Sequence, residues 1–232
     1  MSHIMSNKIS KLTILCLFLL SSCTTTMIDR TAKYDKNMVL SNISAIDSSF
    51  SELESLLYVD IKNQNMYLLR KGNILKGFKI SSSYYGTGSE VNSLKTPLGK
   101  HEIFKKIGRD LPINAILKGR VWNGAIANVI TEDVDTDFDH VTSRILWLDG
   151  LEKGKNKGPG VDSRSRYIYI HGTAEEGLIG RPASDGCIRM YNTDVIDLFD
   201  LVNEKVQVWI YWYISFKINK GLLWKKYLLL YH

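Results

Sequence analysis

Cysteine is scarce in this chain: Cys16, Cys23 and Cys187 are the three present in 232 residues. Three thiols cannot all pair with one another, which excludes a disulfide framework, and only Cys187 falls in the body of a mature domain. No Cys-x-x-Cys or His-x-x-x-His spacing accompanies His171 and Cys187, and His101 and His140 lie in unrelated settings, so no zinc site and no other metal or cofactor is expected. There is no Gly-rich phosphate loop, no aromatic and basic RNA-binding pattern and no helix-turn-helix signal, which leaves nucleic acid as the weakest candidate partner. No internal repeat occurs. Long runs of one charge are missing too, so disorder is not indicated for most of the chain. The acidic stretch Glu132 to Asp139 lacks the loop glycine and closing glutamate of a calcium-binding EF-hand and reads as a solvated loop.

What is present suffices for one well-buried domain. Hydrophobic residues make up 44% of the sequence, enough for a single catalytic domain with short additions. The net charge of +6 suits an anionic surface or polymer, such as lipid headgroups or an acidic wall polymer.

Residues 1–22 read as an export signal. Lys8 and Lys11 supply the positive start, and Leu12 to Leu20 the short apolar run. That run is about half the roughly twenty residues a membrane-spanning helix needs. Leu20-Ser21-Ser22-Cys23 resembles the lipobox of bacterial lipoproteins. The resemblance implies lipidation at Cys23, a membrane lipid anchor, and, since residue 24 is Thr rather than Asp, a periplasmic location at the outer membrane. An ordinary signal peptide with Cys23 incidental is the plainer alternative.

Residues 23–56 read as a polar tether and an amphipathic helix. Ile43, Ile46, Phe50, Leu53 and Leu57 recur at three- and four-residue steps, predicting a helix from Asn42 to Leu57. A β-rich region follows, with a hairpin turn at Lys71-Gly72-Asn73. Ala125 to Thr131 could be strand or short helix. Tyr167 to Ile170 reads as a strand, with Asn192 or Thr193 capping a later helix. The tail, residues 211–232, is aromatic and lysine-bearing, and its role is open.

Chemistry concentrates in His171 to Asn192, HGTAEEGLIGRPASDGCIRMYN. A thiol attacks a carbonyl only as the thiolate, and a neighbouring imidazole can take its proton. Cys187 is therefore the candidate nucleophile and His171 its base. Gly186 leaves room for close approach, and the amides of residues 186 and 187 could face a tetrahedral oxyanion. Arg189 could stabilise charge or grip a carboxylate. Ser184 could orient the imidazole or neighbouring backbone. Each alone has an ordinary structural explanation; their co-location favours function.

YIYIHGT…ASDGCIRMYNTDVIDLF resembles the catalytic signature of the L,D-transpeptidase (YkuD-like) family, particularly its single-domain Gram-negative lipoprotein-type members. YVDIKNQNMYLLRKGN, LKTPLGKHEIFKKIG and ILWLDGLEKGKNKG resemble further family blocks, so the resemblance spans residues 57–210. It implies a mixed, mainly-β, sandwich-like fold with a few peripheral helices. It implies that Cys187 is the nucleophile, His171 the base, Gly186 and Cys187 the oxyanion donors, and Arg189 a charge-stabilising or site-shaping group. Ser184 and Gly172 would hold the loop. Asp185 departs from the family pattern, where a second histidine is common. The implied reaction forms a thioester at the third residue of a peptidoglycan stem peptide, which an amine then resolves into a cross-link. Water as acceptor would give a carboxypeptidase, and a wall-attached lipoprotein would be the partner of an attachment enzyme or amidase. A sortase-like hydrolase and a non-catalytic wall-binding lipoprotein are the readings from other classes.

Overall fold

The protein, as a computed structural model, is described over residues 34–212. Its first element is α1 (Lys36–Ile46), opened by Asp35, whose Oδ1 accepts from the amides of Asn37 at 2.9 Å and Met38 at 3.2 Å. The helix ends at Asp47, which is extended (φ −161°) and turns its carboxylate onto the Ser49 amide to start a 3-10 turn, Ser48–Glu52. The helix expected over Asn42 to Leu57 is therefore displaced. It begins within the stretch read as tether, and it breaks where an aspartate side chain offers the backbone a competing bond. Leu57 lies on a strand instead.

Three strands form a meander: β1 (Ser55–Asp60), β2 (Asn65–Arg70) and β3 (Asn73–Lys79). Lys71 (φ 45°) and Gly72 (φ 73°) make the expected two-residue turn, both in the left-handed region that matches strand twist. The remaining elements are β4 (Gly99–Ile107), β5 (Ala115–Lys118), β6 (Val121–Ile126), β7 (Val141–Gly150), β8 (Tyr169–Thr173), β9 (Ile188–Met190), α2 (Asn192–Leu201) and β10 (Gln207–Tyr211). Of the ambiguous stretch Ala125 to Thr131, the first two residues end a strand and the rest is neither helix nor strand. The sheet runs β3-β2-β1-β10-β4-β7-β5-β6, with β8 on β7 and β9 on β8. The pairs β1–β10 and β8–β9 are parallel and the rest antiparallel. This is the mixed, mainly-β architecture with few helices that was expected.

β1 carries the apolar run Leu56-Leu57-Tyr58-Val59 because both its faces are covered. Leu57 and Val59 join the main core with Met66, Leu68, Val208 and Ile210. Leu56 and Tyr58 join a second core with Tyr67, Leu69 and Trp209, under α1 residues Val39 and Ile43. Each fully buried aliphatic side chain contributes about 1.5–3 kcal/mol. Val195, Leu198 and Phe199 of α2 close the main core beside Ile170 and Ile188, which fixes β8 and β9 from behind.

Candidate active site

His171 and Gly172 lie within β8, two residues later than the strand predicted to end at Ile170. In the parallel pair, His171 stands opposite Arg189 and Ile170 opposite Ile188. Alternate residues of a strand share a face, so Cys187, two before Arg189, is on the face of His171 and Tyr169 while the isoleucines point into the core. The Cys187 Sγ accepts from the Tyr169 amide at 3.4 Å and donates to the Tyr167 carbonyl at 3.5 Å. Cys187 is half-buried: its surroundings largely desolvate the sulfur, while the residue keeps an open side for a reactant.

The His171 ring is 1% exposed. Its Nδ1 lies 2.7 Å from the Gly172 carbonyl, which can only accept, so Nδ1 carries the proton. That leaves the lone pair on Nε2, which is buried without a hydrogen-bond partner. Burial pushes the Cys187 thiol up to about 12, against the pull of the Tyr169 amide, and the Asp139 carboxylate adds to the rise; Arg189 and Arg166 oppose it. Burial likewise lowers His171, with Asp139 opposing. At rest the pair is a neutral thiol and a neutral imidazole.

Ser184 braces the turn before β9 through backbone rather than through the imidazole. Its Oγ donates to the Cys187 carbonyl at 2.6 Å and accepts from the Gly186 amide at 3.3 Å. That amide, one of the two expected oxyanion donors, is thus weakly engaged. Gly186 has φ +116°, a conformation that side chains disfavour, and its carbonyl accepts from Thr96 Oγ1 at 3.0 Å. Thr96, buried in the Thr-Pro-Leu-Gly block, had drawn no role from sequence. Asp185 sits exposed on this turn, its carboxyl raised first by partial burial and then by Asp139.

Arg189, expected to stabilise charge, grip a carboxylate or shape the site, is held by two carboxylates of the chain itself. Its two terminal nitrogens pair with Glu175 Oε2 at 2.8 Å and Asp139 Oδ2 at 2.9 Å. Glu175 also accepts, through Oε1, from the amide and hydroxyl of Thr136 at 2.7 and 2.6 Å. The acidic stretch is therefore mostly a solvated loop, but Thr136 anchors it to Glu175 just past β8 and Asp139 to Arg189 of β9. Sequence reasoning missed Glu175, although its place four residues after His171 is a signal in the same segment.

Gly172 faces Asn192: a Cβ there would lie 2.6 Å from Asn192 Oδ1. Asn192 does not cap α2 by its side chain as expected. Its Oδ1 accepts from Thr142 Oγ1 and Ser143 Oγ, both at 2.6 Å, and its Nδ2 donates to the Thr173 carbonyl at 2.7 Å. Its own amide is satisfied by Glu176 Oε1 at 2.7 Å. A cavity of about 570 Å³, lined in part by Ile116, Ile126, Asp135, Asp137 and Phe138, borders the end of β8 through Ala174, with the thiol outside its lining. Among the described residues, no group of three or more His, Cys, Asp or Glu side chains is placed to hold a metal ion. Cys23 lies outside the described residues.

Fold and site together define a mainly-β domain with an imidazole on β8 and a thiol in the turn that leads into its parallel neighbour β9. The L,D-transpeptidase catalytic domain (YkuD) family profile matches residues 54–210, and the chain belongs to that family. Among curated relatives, YkuD of Bacillus subtilis (strain 168) is 47% identical over 47 residues, covering 20% of this chain and 29% of the relative. An L,D-transpeptidase structure from Mycobacterium smegmatis aligns with 68% of this chain and 58% of its own, at 14% identity and a TM-score of 0.41. L,D-transpeptidase 3 from Mycobacterium tuberculosis, solved with a faropenem-derived adduct, aligns with 68% and 60%, at 13% identity and a TM-score of 0.43. The chain thus spans less than two thirds of the length of each of these three proteins.

Proposed function

We propose that this chain is a cysteine-dependent L,D-transpeptidase acting on peptidoglycan stem peptides. The observation that carries the reading is the His171 Nε2, buried and unpartnered, its lone pair fixed by the Nδ1 bond to Gly172 and set on the same strand face as Cys187. A base with no other partner, on the face that leads to a protonated thiol, fits proton removal during attack rather than a standing thiolate.

In the proposed donor step, Cys187 Sγ bonds to the carbonyl carbon of the third-position diamino acid. His171 takes the thiol proton and passes it to the nitrogen of the departing D-alanine as the C–N bond breaks. In the second step an amine of another stem attacks the thioester, a new C–N bond forms, the C–S bond breaks, and the proton returns to sulfur. Arg189, held by two carboxylates, acts here as a positioning residue that ties the acidic loop to β9. Export and lipidation at Cys23, with an outer-membrane periplasmic location, belong to the same proposal because the wall lies outside the cytoplasm. Metabolic labelling with a palmitate analogue, lost in Cys23→Ala, tests that part.

Incubation of purified protein with a disaccharide-tetrapeptide, read by mass spectrometry beside Cys187→Ala, tests the main reading. Cross-linked dimers lacking D-alanine support it. Monomers that lose D-alanine make the protein a carboxypeptidase. No change on this substrate but release of a wall-linked lipoprotein makes it an amidase, and inertness toward both sinks the enzyme readings.

A further inference from the structure

Three guanidinium groups act on or surround the Cys187 neighbourhood, and two are already committed. Arg189 is held by Glu175 and Asp139. Arg166 spends its Nη2 on the Lys95 carbonyl at 2.8 Å and its Nη1 on the Gly88 carbonyl at 3.4 Å. The third, Arg120, has a different environment. Its guanidinium lies over the Trp147 ring at 4.8 Å and the Tyr167 ring at 4.9 Å, and Nη1 donates to the Tyr169 hydroxyl at 3.1 Å. Among the described residues it has no carboxylate within ion-pair distance.

The same two tyrosines define the thiol's position. Tyr167 offers its carbonyl and Tyr169 its amide to Cys187 Sγ. Leu117, three residues before Arg120, packs in the small cluster that takes in Tyr169, Trp147 and Cys187. The β5–β6 hairpin therefore lies on the thiol's side of the sheet. Arg120 sits at its tip, in the two-residue turn with Gly119, at φ +70°. Such turns favour Gly or Asn, so an arginine there gives up local turn preference. Aromatic faces and the Tyr169 and Tyr167 hydroxyls orient the guanidinium while leaving N–H groups for a planar anion.

We propose that Arg120 binds a carboxylate of the acyl donor and orients the donor over Cys187. The inference rests on the proposed acyl-transfer reading, which makes the donor a peptide bearing free carboxylates. It moves carboxylate recognition from Arg189, where the sequence suggested it, to the hairpin tip. Tyr167, Trp147 and Tyr169 act as the platform that holds the fork.

Binding can be measured apart from turnover. The Cys187→Ala protein is titrated by calorimetry with a stem tetrapeptide carrying its free carboxylates, and with derivatives amidated at one carboxylate in turn. A charge-assisted pair at a partly exposed site predicts that at least one amide binds about tenfold to a hundredfold more weakly than the free acid. Adding Arg120→Gly should remove that preference, and Arg120→Lys, which keeps the charge but not the fork, should restore part of it. Glycine suits this turn, so Arg120→Gly tests recognition without disturbing the hairpin, and an unchanged thermal melt checks that. Equal binding of acid and every amide overturns the proposal, as does a preference that survives in Arg120→Gly. Wild type that binds with the predicted preference but releases no D-alanine would sink the acyl-transfer reading and leave carboxylate binding standing.

Discussion

Glu175 and Arg189 form an ion pair at 2.8 Å with side chains only 1% and 3% exposed. Two charges so far from water stay because further bonds compensate them: Glu175 holds Thr136 twice, and Arg189 holds Asp139 as well. Removing one member leaves the other buried and under-compensated. Glu175→Ala should therefore destabilise the domain by about 3 kcal/mol, while Glu175→Gln, which keeps an acceptor and shape, should cost nearer 1 kcal/mol. Urea unfolding of the two variants checks this. The alanine variant should also lose most D-alanine release, because the strand carrying Arg189 is the neighbour of the strand carrying His171. Equal midpoints for wild type and Glu175→Ala would show that the pair has no net role in stability.

The thiol's environment sets a pH signature. With Cys187 pushed up to about 12 by burial, the thiolate population is small at neutral pH and rises about tenfold per pH unit until that value is approached. Alkylation by iodoacetamide in the absence of substrate should thus be about a hundredfold faster at pH 9 than at pH 7. A rate already on a plateau at pH 7 would point to a standing thiolate–imidazolium pair instead. His171→Ala should leave the slope of this alkylation profile intact but reduce D-alanine release by about a hundredfold or more, since the proposed reaction with peptide uses His171 as its base.

How much was legible beforehand follows the range of the contacts. His171, Gly172, Ser184, Gly186, Cys187 and Arg189 fall within one short segment, and a parallel strand pair with a connecting turn brings them together; a linear motif can show that. Thr96 touches Gly186 across ninety positions, so its bond to the turn before β9 is invisible to local spacing. Arg120 reaches Tyr169 from a hairpin 49 positions away. Arg189 looked free because the acids that occupy it come from a loop whose path no periodicity encodes. The helix over Asn42 to Leu57 went astray for a local reason: Asp47 was available as a start signal, but the apolar spacing continued through it. The β-rich middle was readable because alternation and the Lys71-Gly72 turn agree, whereas the start of β1, Ser55 to Leu57, falls within the helix expected from sequence because its apolar run is buried on both faces and does not alternate.

Two buried histidines predict acid sensitivity. His101 is fully enclosed, with Nδ1 at 3.1 Å from the Gly99 carbonyl and Nε2 at 2.9 Å from Ser163 Oγ, and burial lowers it from 6.5 to about 4. A group held below its unfolded value binds fewer protons in the folded state, so stability is intact above about pH 6.5 and falls as pH drops toward 4. His171 is shifted in the same direction and adds to the effect. His101 alone should account for a loss of roughly 3 kcal/mol between neutral pH and pH 4. Urea midpoints at several pH values should show this fall, and His101→Gln, which can reach similar partners without titrating, should flatten it. An unchanged pH dependence in His101→Gln would assign the acid loss elsewhere.

Gly172 is where packing and chemistry meet. A methyl group at this position would lie 2.6 Å from Asn192 Oδ1, 2.9 Å from the Thr142 carbonyl and 3.0 Å from Thr142 Oγ1. None of these can move cheaply: the carbonyl is backbone of β7, and Asn192 Oδ1 is the acceptor for both Thr142 and Ser143 hydroxyls. Gly172→Ala should therefore cost about 2–3 kcal/mol from overpacking and from displaced hydroxyl bonds. The Gly172 carbonyl also holds His171 Nδ1, so a shift of this peptide unit loosens the bond that keeps the Nε2 lone pair in place. Donor turnover should accordingly fall more than stability alone explains, measured as D-alanine release well below the unfolding transition. Alkylation of Cys187 should change little, because Tyr169 and Tyr167, not Gly172, hold the sulfur. A Gly172→Ala protein with wild-type stability and turnover would mean that β7 and β8 can part by several tenths of an ångström at no cost, and the close approach would lose its place in the account of the site.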